Sequence, residues 1–123
     1  TMRESIAFIY TAVNNCIRSK ELSWIFDESN KTGHSEFKIS QTQSGKIKTY
    51  AIDRTLIDEN GVRWIIDFKT GAPRGRSTDE FIDQQKQLHA PQLSRYEELF
   101  QQLETRKTKT AILFTAISKL VPL

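Results

Sequence analysis

Two apolar-rich runs, residues 50–57 and 62–69, flank the polar cluster Asp58-Glu59-Asn60-Gly61, and no other feature restricts the fold of this chain so tightly. A polar break ending in Asn-Gly between two such runs predicts a β-hairpin. Loop length decides its register. A two-residue Asn60-Gly61 turn would set Asp53 across from Phe68 and throw Asp53 and Asp67 onto opposite faces. A three-residue loop from Glu59 to Gly61, with Gly61 in the left-handed region, sets Asp53 directly opposite Asp67. Tyr50, Ile52 and Leu56 share parity with Val62, Trp64, Ile66 and Phe68, so only the three-residue loop makes one apolar face. The opposite face then collects Asp53, Thr55, Arg63, Asp67 and Lys69, with Asp53, Asp67 and Lys69 converging at one end of the hairpin. Arg54 is the misfit. Its parity sends it to the core side, where it needs a carboxylate partner or a route to solvent.

Two carboxylates a few ångströms apart repel unless a proton or a cation lies between them. Hard oxygen ligands favour Mg²⁺ or Mn²⁺, which keep several waters and take only one or two protein carboxylates. One cysteine and two histidines make a zinc site improbable. Asp53 and Asp67 are therefore the candidate metal ligands, with the backbone carbonyl of Phe68 as a further one. Lys69, a compact point charge two residues beyond Asp67, could hold a water or neutralise the added charge of a pentavalent transition state. The reaction class that this set suits is phosphodiester hydrolysis.

Other polar residues carry plainer readings. Asp58 and Glu59 read as ordinary turn residues. Glu36 reads as a polar strand residue that could enter the site if its strand lies beside Asp53. His34 and His89 read as solvent-facing or packing residues. Arg74 and Arg76, in a loop after the hairpin, are either solvated or phosphate contacts.

A chain of 123 residues suffices for one domain and one core, burying roughly two thirds of its unfolded surface. It is 37% hydrophobic and 27% charged, and no run approaches the ~20 apolar residues of a membrane span. No signal-peptide pattern opens it, because Ile6-Ala7-Phe8-Ile9-Tyr10 is short and follows Arg3-Glu4. Lone Cys16 excludes an internal disulfide and suits a reducing cytosol, so a cytoplasmic location is expected. A net charge of +3 permits nucleic-acid binding without requiring it.

Residues 4–19 predict an amphipathic helix, with Ile6, Ile9, Tyr10, Val13 and Ile17 at helical spacing. Trp24-Ile25-Phe26 should form a short strand or turn over the core, and residues 27–34 a polar loop. Residues 36–40 alternate as a strand, and Gln43-Ser44-Gly45 turns it into residues 46–49, which run on towards Asp53, giving a three-stranded antiparallel meander. Residues 71–76 read as a mobile basic loop. Ser77-Thr78-Asp79-Glu80 has capping-box form and begins a helix. Pro91 should break or kink it and open a second helix, with Leu93, Tyr96, Leu99, Phe100 and Leu103 as its core stripe. Residues 110–117 read as a strand covered on both faces, which a helical crossover would make parallel to the hairpin. The expected fold is α/β, a mixed sheet of antiparallel meander plus one parallel strand, flanked by helices.

At these residues the chain resembles the PD-(D/E)XK nuclease superfamily, with its restriction-endonuclease-like sheet, and within it the RecB-like nuclease domains fused to UvrD-type helicases. From about residue 20 to 118 the elements follow in the family's order: Trp24-Ile25, Ser35-Glu36-Phe37, Ile52-Asp53-Arg54, then Trp64-Ile65-Ile66-Asp67-Phe68-Lys69-Thr70-Gly71. Gln92-Leu93-Ser94-Arg95-Tyr96 looks like the Gln-x-x-x-Tyr motif downstream of the catalytic lysine in RecB-like members, and residues four apart share a helix face. The resemblance implies Mg²⁺- or Mn²⁺-dependent cutting of DNA, usually as an exonuclease coupled to a helicase in double-strand break processing. It puts Asp53, Asp67 and Lys69 at the catalytic positions and Gln92 and Tyr96 at the accessory, DNA-side motif, and it implies a linked helicase domain and a possible partner subunit. RecB-like domains also carry a metal-liganding histidine on a helix upstream of the first strand, and none occurs here before His34. The expectation is therefore that this chain is part of a larger helicase–nuclease. The alternatives are a non-catalytic nuclease-fold module that binds DNA or a partner, or an unrelated mixed-sheet binding domain.

Overall fold

In the computed structural model, which describes residues 1–123, the hairpin closes through the three-residue loop. The Asp58 N–H donates to the Val62 carbonyl at 2.9 Å and the Gly61 N–H to the Asp58 carbonyl at 3.0 Å. Gly61 has φ +80°, a left-handed conformation that a side chain would strain. Strands β2 (Lys46–Ile57) and β3 (Arg63–Lys69) pair antiparallel from Ile57↔Arg63 to Arg54↔Ile66. One step further in the same register stand Asp53 and Asp67.

Strand β1 (His34–Gln43) pairs antiparallel with β2 through the tight Ser44-Gly45 turn. Strand β4 (Thr108–Phe114) lies parallel to β3, and β5 (Lys119–Pro122) returns antiparallel along β4. The protein is thus α/β, with a five-stranded mixed sheet in the order β1-β2-β3-β4-β5, one parallel pair and two helices. The short strand β5 was not expected from the sequence. No helix is long and apolar enough to cross a membrane.

Helix α2 (Thr78–Leu103) begins at Ser77, whose hydroxyl accepts the Glu80 N–H, and runs through Pro91 as one helix, where a break or kink and a second helix starting near Pro91 were expected. Pro91 and Gln87 are both exposed, so the Gln87 carbonyl that loses its i+4 donor is left to water. Burial on both sides of the proline holds the helix on the sheet, through Phe81 and Ile82 before it and Leu93, Tyr96, Leu99 and Phe100 after it. Leu103, expected in that stripe, is exposed.

Helix α1 (Met2–Arg18) is capped by Thr1 and Glu4. Its expected core stripe is not covered: Ile6, Ile9, Tyr10 and Ile17 are exposed, and only Ala12 and Cys16 are buried. The helix rests its small side chains on the 3₁₀ turn Thr115–Ile117, where the Cys16 thiol lies 3.7 Å from the Thr115 carbonyl oxygen. Trp24, Ile25 and Phe26 form a 3₁₀ turn, Ser23–Phe26, over the sheet face opposite α2.

Both faces of the hairpin are buried, which corrects the expectation of one apolar and one polar face. Leu56, Trp64 and Ile66 pack with Leu22 and Ile25, whereas Ile52, with Tyr50 against it, packs beneath α2 beside Ile65. Ile52 and Leu56 have the same parity yet opposite faces, so the β1–β2 ribbon inverts between them. The inversion falls at Glu36 and Asp53. Their neighbours are paired in a constant register while they are not, and Glu36 has φ +51°. Arg54 finds no carboxylate and little solvent. It is 9% exposed, and its guanidinium donates to the Ile25 carbonyl at 2.8 Å and the Ser35 hydroxyl at 3.1 Å. A Cβ at Gly33 would lie 2.5 Å from that guanidinium, so a side chain there would have to displace it.

Candidate active site

The site forms where β2 leaves β3. Asp58 and Val62 are a hydrogen-bonded pair, and the alternation of an antiparallel ladder makes Asp53 and Asp67 a non-bonded pair, whose side chains approach closely. In a regular ladder the Phe68 N–H would donate to the Ile52 carbonyl. Here it donates to Asp53 Oδ2 at 2.8 Å, so a carboxylate takes the place of the missing strand. A strand residue's N–H and C=O leave by the same edge, and the Phe68 carbonyl therefore also faces the gap. The Phe68 ring lies on the other side of the sheet, near Phe26.

Asp67 is the second carboxylate, its side chain 14% exposed. Its Oδ2 touches the Lys69 ammonium at 3.1 Å but accepts no hydrogen bond of proper angle, and it is the one buried side-chain polar atom in the molecule left in that state. Burial, followed by the adjoining Asp67 carboxyl, raises the Asp53 carboxyl above its ordinary pKa, against the opposing pull of the Phe68 N–H and the Lys69 charge. The Lys69 carbonyl accepts the Thr115 hydroxyl at 3.3 Å, which ties this end of β3 to the turn after β4.

Helix α2 covers the pair from above. Gln92 Nε2 donates to the Tyr96 hydroxyl at 2.7 Å, and that hydroxyl donates to the Ala51 carbonyl at 3.1 Å, beside the inversion. Burial, then the charges of Asp67 and Asp53, raises the Tyr96 phenol pKa. The expected Gln-x-x-x-Tyr pair thus stands over the carboxylates. His89 lies within reach of the Lys69 charge, although its sequence context suggested only packing: burial and then that charge lower its imidazole pKa, and its Nε2 lies 3.2 Å from Gln85 Oε1. A legible signal existed, because His89 precedes Gln92 by three residues and Tyr96 by seven, on one helical face.

The remaining candidates are not gathered in. Strand β1 does lie beside Asp53, and Glu36 stands at the register position opposite it, but Glu36 is exposed and unpaired. No group of three or more acidic, histidine or cysteine side chains is placed to share a metal. Arg76 folds onto the first turns of α2, hydrogen-bonded to Gln84 and lying over the Phe81 ring. Arg74 is exposed, on a cavity wall with Thr1, Glu4 and Thr70.

The residues present fit a hard divalent cation. Asp67 Oδ2 is buried without a hydrogen bond, Asp53 adjoins it, and the Phe68 carbonyl faces the same gap. Two carboxylates and a carbonyl, completed by water, are a donor set that Mg²⁺ or Mn²⁺ accepts. No protein-family model matches the chain, and no curated protein does.

Proposed function

We propose that this protein is a Mg²⁺- or Mn²⁺-dependent nuclease module that hydrolyses phosphodiester bonds in DNA. One observation carries the reading: a crowded carboxylate pair, one oxygen buried without a hydrogen bond and one lysine in contact, at a break in the sheet. Asp67 Oδ2 meets the Lys69 ammonium at 3.1 Å and accepts no hydrogen bond, so it keeps lone-pair capacity for a cation.

Asp53, Asp67 and the Phe68 carbonyl would hold the cation, which when bound supplies Lewis-acid polarisation of the phosphate and a more acidic water. The rest falls to the chain. The Phe68 N–H fixes the Asp53 carboxylate, so that it need not reorganise. Lys69, delivered by β3 beside Asp67, offsets negative charge as the water oxygen bonds to phosphorus and the ester P–O bond breaks. One proton leaves the water and one reaches the departing oxygen. Tyr96 and Gln92, braced on the Ala51 carbonyl, line the side from which a strand would approach.

The resemblance extends the reading to exonuclease work beside a linked helicase domain in double-strand break processing. The alternative, a nuclease-fold module that grips DNA or a partner subunit without cutting, draws on the convergence of only two acidic side chains. Incubating end-labelled DNA with the protein and either metal separates the two. Cleavage that Asp67→Asn abolishes supports the nuclease; binding with no cleavage in either metal selects the alternative.

A further inference from the structure

Beyond the inversion at Asp53, β1 and β2 continue as a two-stranded ribbon. On the side shared with α2 it carries Lys46, Lys48 and Tyr50, opposite Gln43, Gln41 and Ile39. Two cations gather on the Tyr50 ring: Lys48 Nζ lies 5.2 Å from its centroid and Arg95 Cζ 5.8 Å. Arg95 Nε donates to the Tyr50 hydroxyl at 3.3 Å, and a terminal nitrogen donates to Gln41 Oε1 at 3.2 Å. The Tyr96 ring meets Tyr50 edge-on at 6.1 Å. The single carboxylate in ion-pair reach of either cation is Glu98, 3.6 Å from Arg95 and 60% exposed.

We propose that Lys48 and Arg95, gathered around Tyr50, grip backbone phosphates of a single DNA strand that runs along β2 to the Asp53–Asp67 pair. Like charges collected on one ring are stable next to an anion, and a guanidinium already held in place suits phosphate. The placement supplies the path. Three residues of extended strand, about 10 Å, separate Tyr50 from Asp53, and five, about 17 Å, separate Lys48 from it. Tyr96 touches the start of that interval, through the Tyr50 ring and the Ala51 carbonyl. Cations gathered on a half-buried tyrosine ring, in line with the carboxylate pair, suit the backbone of a single strand. The inference rests on the nuclease reading for the identity of the polymer, but the grip itself needs no metal.

The test is fluorescence anisotropy of a labelled oligothymidylate with the intact chain in EDTA, across a potassium chloride series. Lys48→Gln/Arg95→Gln should bind several-fold more weakly at low salt and flatten the log–log salt slope by about 1.4, or ~0.7 per lost phosphate contact. Because Arg95 supports packed rings, Lys48→Gln alone is the safeguard. That side chain is exposed and makes no hydrogen bond, and its loss should flatten the slope by about 0.7. Lys31→Gln/Lys119→Gln removes the same charge from exposed positions elsewhere and should leave the slope nearly unchanged. An unchanged slope in Lys48→Gln, an equal loss in the Lys31/Lys119 control, or tighter binding of a duplex of the same length would overturn the inference. Binding with the expected dependence but no cleavage in any metal would leave the grip standing and remove the nuclease reading.

Discussion

Asp58 and Asp53 stand at the two ends of one hairpin and are treated in opposite ways. Asp58, at the closed end, accepts the N–H groups of Asn60 and Val62 on Oδ1 and the Trp64 indole on Oδ2. Burial would raise its pKa, but those hydrogen bonds and the Lys109 charge outweigh it and hold the carboxyl below its ordinary range. At the open end, Asp53 keeps one N–H, faces a second carboxyl, and is raised. The first arrangement stabilises a turn; the second leaves two crowded carboxyls with few donors, as the proposed cation site would need. Residue type is the same at both ends, and the supply of donors separates scaffold from site.

Cleavage gives the largest contrast. Lys69→Ala should lower DNA cleavage by about 10²–10³-fold, in the range of a lost charge-stabilising donor, while Mn²⁺ binding persists. Cleavage at the parental rate would show that Lys69 has no part in the chemistry. At the closed end, Asp58→Ala strands two backbone N–H groups and an indole and should cost about 2–3 kcal/mol in urea denaturation; a cost near zero would break the comparison. Asp53→Asn should do the reverse, stabilising the metal-free protein by on the order of 1 kcal/mol at pH 7, because the amide keeps an acceptor for Phe68 and removes a raised carboxylate.

The pH signatures should diverge as well. The contribution of Asp58, whose folded pKa is depressed, is present above the unfolded carboxyl value near 4 and is lost as pH falls through the folded value. The contribution of Asp53, whose folded pKa is raised, is present below about 4 and is lost as pH rises through the folded value. Denaturation midpoints should therefore show the deficit of Asp58→Asn shrinking towards acid and the advantage of Asp53→Asn growing from about pH 4 upward. Parallel curves would mean that the two carboxyls do not differ as described.

Much of this contrast was legible in the sequence. Gly61 and the parity of Trp64 and Ile66 set the register, and with it the opposition of Asp53 and Asp67. The four-residue spacing of Gln92 and Tyr96 marked the helix face that covers the pair. What periodicity could not supply was the partner of each face. The aspartate face read as solvent-exposed, yet Ile65 lies on it fully buried, and that interleaved isoleucine was the available sign that a helix covers it. The inversion at Glu36 and Asp53 left no sign, because a non-glycine residue there adopts positive φ. Helix α1 was correct as a helix and wrong in its buried side, since apolar spacing reports a stripe and not what lies against it. Pro91 read as a break because local propensity took precedence over the packing of Ile82 and Leu93 on either side of it. Strand β5 is four residues long, too short for alternation to mark.

A Mn²⁺ titration followed by electron paramagnetic resonance, on the parent and Asp67→Asn, tests most directly whether the open end of the hairpin is a divalent-cation site. The free-ion signal should be depleted by the parent and restored in the variant. Equal depletion by both, or none by the parent, would contradict that reading.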